Sequence, residues 1–357
     1  MEAWRRWERP GPLHRGVSAL RRRGKPPEPE PLVVALAQPP AGAGGSRGRC
    51  DGPESQVRVL AVMDSASPSN RAAVLEAARL LPAHEVAYLG QRQALAACGL
   101  GGPEMATIPW ASARSDLPAA DRVLSIGAHL QAGREASQWA QDRGIQQVVV
   151  QHGLLTPWAP PLPHGATLLS FTEQDGRFWA SGRSDIVVRA VGSQALWSAA
   201  VGAAEAPEVE LAERRPLVFL GQMHGRELPR REIVGQTLGF LRREAQTVYR
   251  PHPSEKDVLS RTVHQGMRRR GVAFQDTSVP LASTGADVVS VFSTGVLEAA
   301  QRGRRAWVHH DDPPPWLVEF WDRYGLARWG QEPTRPVRWS ETEPARAVAD
   351  HLSGGVR

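Results

Sequence analysis

From residue 57 onward, short apolar runs alternate with stretches whose apolar residues recur at helical spacing. Val57–Met63 (VRVLAVM) is an apolar run of strand length, and Ser67–Leu81 reads as the helix after it. The pattern continues with strand Glu85–Leu89, a short helix over Gln91–Cys98, strand Arg122–Ile126, helix Ala132–Asp142 and strand Gln146–Val150. Leu168–Phe171 and Ile186–Val191 add two strands, with a helix over Ser193–Ala200. A run that is apolar at successive positions needs cover on both faces of its sheet, so this alternation predicts a parallel sheet between helices. The Ala/Glu-rich stretch 202–215, with Pro207, reads as a link. A second series then follows: strand Leu217–Leu220, helix Glu232–Arg243, strand Thr247–Tyr249, a basic helix around 255–270, strand Val272–Phe274 and strand Asp287–Phe292. It closes with helix Val296–Gln301, strand Arg305–Val308 and an aromatic helix over Trp316–Tyr324. The expected fold class is α/β, with two doubly wound Rossmann-like domains facing across a cleft. Residues 1–56 read as tail and linker, 57–205 as an N-terminal acceptor-side domain, and 206–357 as a C-terminal nucleotide-donor domain. Leu32–Leu36 is at most a stray strand within the linker.

Composition alters this picture little. The 357 residues, 41% hydrophobic and 22% charged, describe a globular protein large enough for two domains. Residues 1–25 carry eight Arg or Lys against two Glu, an excess equal to the whole formal charge of +6. The remainder is close to neutral, which argues against a nucleic-acid-binding body. Within 1–23, Trp4, Trp7, Leu13, Val17 and Leu20 interleave with arginines, as in a loosely docked tail or an interfacial helix broken by Pro10 and Pro12. Cys50 and Cys98 lack metal-ligand spacing. No run approaches eighteen apolar residues, so the expected location is cytoplasmic, with 1–23 the one candidate for peripheral contact with the inner face of the membrane. His309, His310, Asp311 and Asp312 are adjacent and converge poorly on one ion, so no metal site is expected.

Candidate chemistry sits where apolar strands end, the edge at which open α/β sheets hold ligands. After Val57–Met63 the turn is Asp64-Ser65 rather than a GxGxxG fingerprint. Gln151-His152-Gly153 follows the strand ending at Val150. A histidine there can take a proton near neutrality, and Gly153 lets a ligand approach the backbone. In the second series, Gln222 and His224 follow the first strand, and Arg250-Pro251-His252-Pro253 follows Tyr249. Arg250 offers a planar fork for phosphate oxygens, while the two prolines fix His252. Ser254 is the expected N-cap of the basic helix, and Glu255 is either a residue of that helix start or an acceptor for ribose hydroxyls. Ser293, Thr294 and Gly295 open a helix whose free N–H groups suit a diphosphate or are capped in the ordinary way. Glu298 lies about one turn later, placed for ribose. Glu173 and Asp175, in SFTEQDGRFW, either hold an acceptor or form a turn at Asp175-Gly176.

The combination of QHG (151–153), RPHP (250–253) and FSTGVLEA (292–299) resembles the CDP-glycerol glycerophosphotransferases and the wider bacterial surface-polysaccharide transferases of the GT-B fold. The resemblance covers roughly 57–325, although FSTGVLEA departs from the serine-rich pattern of the glycerophosphotransferases. It implies a metal-independent transferase without a cofactor, moving a glycosyl or glycerophosphate group from a CDP, CMP or other nucleoside diphosphate donor to a hydroxyl acceptor in surface-polymer or secondary-metabolite assembly. His152 would deprotonate the acceptor. Arg250, His252, Ser293, Thr294 and Gly295 would hold the phosphates, with Glu298, Gln222, His224 and Glu255 around the donor. Asp64, Ser65, Gly153, Glu173 and Asp175 would line the acceptor side. Two alternatives stand beside it: a non-hydrolysing nucleotide-sugar epimerase, which needs further carboxylates, and a non-catalytic nucleotide-binding or scaffold protein.

Overall fold

The computed structural model describes residues 30–37, 57–115, 117, 120–204, 215–223, 225, 227–279, 281–338 and 340–354. The expectations for the tail 1–23, Cys50 and His224 lie outside these residues. The chain divides into two compact α/β units. The first takes residues up to Gly153, 159–195 and the C-terminal stretch from 339; the second takes Leu154–Trp158 and 196–338.

The first unit is built on β1 (Leu32–Ala37), β2 (Val59–Met63), β3 (Val86–Gln91), β4 (Met105–Pro109), β5 (Arg122–Ser125), β6 (Gln146–Val150), β7 (Thr167–Ser170) and β8 (Val187–Ala190). They form one sheet in the order β4-β1-β3-β2-β5-β6-β7-β8. All neighbours are parallel except β1, which runs antiparallel to both β3 and β4. The helices in chain order are α1 (68–78), α2 (Arg92–Ala97), α3 (Trp110–Ala113), α4 (Gln131–Arg143), α5 (Glu173–Ala180) and α6 (Gln194–Ala204). Within α1 a π-helical turn covers Arg71–Leu75. From β2 the order runs one way to β3 and the other way to β5, so the switch point lies between the ends of β2 and β5.

Side-chain alternation explains the two-sided core. Val33, Ala35, Val59, Ala61 and Met63 point into one apolar layer; Leu32, Val34, Leu60 and Val62 point into the other. This corrects the reading of residues 1–56. Leu32–Ala37 is an interior strand, with Val34 and Ala35 fully buried. The sheet also gains β4, which the apolar pattern did not reveal. A C-terminal helix, unexpected as well, buries Ala345, Val348, Ala349 and Leu352 in the first layer. The division between the units falls inside α6 rather than at 205/206.

The second unit has the parallel order β10-β9-β11-β12, from β9 (Leu217–Leu220), β10 (Val248–Arg250), β11 (Asp287–Ser290) and β12 (Ala306–Val308). Between and after them come α7 (Arg230–Arg243), α8 (Val258–Arg269), α9 (Gly295–Gln301) and α10 (Pro315–Arg323); the C-terminal helix is α11 (Pro344–Ser353). The expected strand Val272–Phe274 is reduced to a single bridge, Tyr249 to Phe274. Among the described residues no helix is long and apolar enough to cross a membrane.

Candidate functional site

In the first unit, the crevice at the switch point is built by the turns after β2 and β5. Asp64 Oδ1 accepts from the backbone N–H groups of Ala132 (2.9 Å) and Gly133 (3.2 Å), so its carboxylate caps the start of α4. Asp64 Oδ2 is buried with no hydrogen-bond partner. Burial raises its pKa above the ordinary carboxylate range, against the two amide bonds and Arg134, which lower it. Only glycine fits at 133: a Cβ there would lie 2.1 Å from Gly127 O and 3.1 Å from Asp64 Oδ2. The 127–129 turn and Asp64 therefore converge on one point of backbone.

That turn carries His129, which sequence reasoning missed although it follows β5 as His152 follows β6. The two imidazoles stack at 6.1 Å between centroids and 15° between planes. Burial lowers both pKa values. That of His152 falls to about 4, pushed further by the neighbouring His129. Both rings are thus neutral at pH 7, and burial makes them weaker bases than an open imidazole, against the expectation that His152 takes a proton near neutrality. Carboxylate and imidazoles share the edge formed by β2, β5 and β6.

The other residues expected on the acceptor side have different roles. Ser65 stitches its own turn, donating to Ser67 Oγ and accepting from Ser67 N–H. Gly153 O accepts from Gln151 Nε2, which also reaches Asp175 Oδ2 at 3.3 Å. SFTEQDGRFW is neither an open acceptor loop nor a hairpin turn. Thr172 caps α5 by accepting from Asp175 N–H, Asp175 is fully buried, and a Cβ at Gly176 would meet Val188 Cγ1 at 2.1 Å. Gly176 is there for close helix–strand packing. Glu173 is exposed and paired with Arg177 across one helical turn.

In the second unit, β10 and β11 flank β9, so the RPHP loop and the Ser293 turn are two strand spacings apart, about 9.5 Å. The structure places these donor candidates on one sheet edge but gives several of them other work. Arg250 Nη1 donates to Gln275 Oε1 and Asp276 O, and its Nη2 donates to Val279 O; the guanidinium clamps the 275–279 loop rather than presenting an open fork. His252 is exposed, its Nδ1 accepting from Ser254 N–H. Ser254 is not the N-cap: α8 begins at Val258, capped by Asp257, which accepts from Leu259 and Ser260 N–H. Glu255 neither caps that helix nor faces ribose. It is buried, its Oε1 accepting from Met223 N–H and its Oε2 bonded to Tyr249 OH and His264 Nε2. Gln222 Oε1 accepts from Val291 and Phe292 N–H, fixing the end of β11 beside β9.

At the start of α9, Gly295 N–H donates to Ser293 Oγ and Val296 N–H to Ser293 O, so two of the expected free donors are satisfied locally. Thr294 is the N-cap residue, but its hydroxyl makes no capping bond. Glu298 lies on the first turn of α9, about a third exposed, its pKa raised by burial and opposed by Arg302. Thr294 and Glu298 are both partly buried at this edge. His309 and His310 pair instead with Arg243 and Glu232. Among the described residues no three His, Cys, Asp or Glu side chains come together as for a metal ion.

No protein-family model matches the chain, and no curated protein does. Solved structures do resemble it. One, from Listeria monocytogenes and named a UDP-N-acetylglucosamine 2-epimerase, is 14% identical with TM-score 0.47, over 83% of this chain and 88% of that one. A Staphylococcus aureus MnaA–UDP complex is 12% identical with TM-score 0.49, over 83% and 88%. Anabaena HepE with UDP and glucose is 12% identical with TM-score 0.44, over 83% and 89%. These are likenesses of fold alone. The expectation of CDP-glycerol-type transfer to a hydroxyl acceptor is corrected to this extent: one of these structures is named a 2-epimerase, two hold UDP, and none is named a glycerophosphotransferase. Of the residues expected on the acceptor side, Ser65, Gly153 and Asp175 make hydrogen bonds within the first unit itself.

Proposed function

We propose that this protein binds a nucleotide-activated sugar and inverts one of its carbon centres without a second substrate, as a nucleotide-sugar epimerase does. The observation that carries this reading is the grouping of Asp64, His129 and His152 at the switch-point edge of the first unit. Inversion at the carbon next to the anomeric centre needs one group to remove its proton as the anomeric C–O bond to the nucleotide phosphate breaks and a C=C bond forms, and a group to return a proton to the opposite face as that C–O bond re-forms. The grouping offers a partnerless carboxylate oxygen and two neutral imidazoles. The carboxylate that an epimerase requires, hard to find in the sequence, is Asp64. Within the second unit, Gln222, Glu255 and Arg250 hold the strand-end loops in place.

The test is to incubate the full chain with uridine, cytidine, guanosine and thymidine diphosphate sugars, each without acceptor, and to follow the sugar ring by proton NMR. A second isomer approaching a fixed ratio from either direction is the expected result. Turnover only when a hydroxyl acceptor is added would overturn the reading.

A further inference from the structure

Helix α8 turns Ser260, His264 and Met267 inward and leaves the rest of its surface to solvent. The outer face is unusual in two ways. Val258 and Leu259, at its first turn, are 61% and 52% exposed. From Lys256 to Arg270 there are five basic side chains, Lys256, Arg261, Arg268, Arg269 and Arg270, and from Val258 to Gln275 there is no acidic residue. The carboxylates on either side are committed: Asp257 pairs with Arg230 at 2.7 Å, Glu255 is buried, and Asp276 accepts from the N–H and hydroxyl of Ser278. Arg268 lies over the ring of Phe274, while all five basic residues remain exposed. At helical spacing, Val258, Thr262, Gln265 and Arg269 run down the middle of this face, with Arg261 and Arg268 on one flank and Leu259 and Arg270 on the other.

We propose that the exposed face of α8 docks this protein on an anionic lipid surface. The arginines would meet phosphate headgroups, and Val258 and Leu259 would enter the boundary below them. Charge alone would suit any polyanion. The two unshielded apolar residues beside the basic ones are what favour a membrane over a nucleic acid, because phosphate-backbone binding gains nothing from exposed aliphatic carbon. The surface belongs wholly to the second unit.

The experiment is co-sedimentation of the full chain with vesicles of phosphatidylcholine containing 30% phosphatidylglycerol, against pure phosphatidylcholine, at low and at physiological salt. Binding should require the anionic lipid and weaken with salt. Each neutralised arginine should weaken partitioning about fivefold, so a triple Arg261→Gln, Arg269→Gln, Arg270→Gln variant should lose on the order of 100-fold. A Val258→Ser, Leu259→Ser variant with all its charges intact should also bind more weakly. Circular dichroism melts establish that both variants fold, and single arginine variants replace any that does not. Vesicle binding unchanged in the α8 variants would assign the contact to the tail and overturn the proposal. So would equal loss of vesicle and RNA binding in the arginine variant with no effect of the Val258 and Leu259 changes. Absence of vesicle binding by the wild type would overturn it outright.

Discussion

At the scale of single residues, burial decides the chemistry of the groups at the strand ends. His152 has its pKa lowered to about 4 from an ordinary value of 6.5, by burial first and by His129 second. In the unfolded chain the ring takes a proton below 6.5, while the folded ring refuses it until about 4. Its contribution to stability is therefore complete above pH 6.5 and is lost as the pH falls from there through 4, by up to roughly 3 kcal/mol. Thermal melts of wild type should show this loss, and His152→Gln should flatten the curve across the same window. Glu255 is a different case, an acceptor for three donors from three places in the second unit. Glu255→Ala would leave Tyr249 OH and Met223 N–H buried without a partner, at a cost of about 3 kcal/mol. Glu255→Gln, which keeps an oxygen, should cost less when both are compared by urea denaturation. The sequence placed both residues at strand ends but could not divide them between ligand and framework. That division depends on which groups fold back onto each side chain, and Met223, whose N–H donates to Glu255, lies 32 residues away in the chain.

At the scale of elements, the strands of the parallel sheets were legible because their apolar runs have no other stable environment. Val59–Met63, Gln146–Val150 and Leu217–Leu220 lie where the pattern puts them. β1 was discounted because its six residues sit among proline and glycine, and its role comes from pairing with β3 and β4 more than fifty residues away. Deleting residues 1–50 should therefore melt the first unit rather than leave it intact. Val34→Asp, placing a charge at a fully buried position between two strands, should cost roughly 4 kcal/mol or more in denaturant titration. In the second unit, Arg250 holds the 275–279 loop through one side-chain and two main-chain oxygens. Arg250→Ala should speed amide hydrogen exchange in 275–279 while leaving β10 itself protected. Its effect on nucleotide affinity should be indirect, with diphosphate and bare nucleoside weakened alike.

At the scale of the whole molecule, the sequence conveyed two α/β units and their order but not their division. The return of the chain to the first unit is invisible in a linear reading: α11 completes a core begun some three hundred residues earlier, and Arg122 donates to Leu352 O and Gly354 O. Truncation after residue 343 should consequently destabilise the first unit, although its own strands are all present. The sheet order likewise brings Asp64, His129 and His152 to one edge, since β5 lies between β2 and β6 although two strands separate β2 from β5 in the sequence. The central claim is that these groups move a proton on and off a sugar carbon. It is tested most directly by measuring deuterium incorporation from D2O into a nucleotide sugar that the wild type converts, with Asp64→Asn and His152→Gln alongside. The account predicts one deuterium at the inverted carbon with wild type, and incorporation slowed by 10²–10⁴-fold in both variants as expected for loss of acid–base groups. Conversion with no solvent deuterium, or variants that exchange at the wild-type rate, would contradict it.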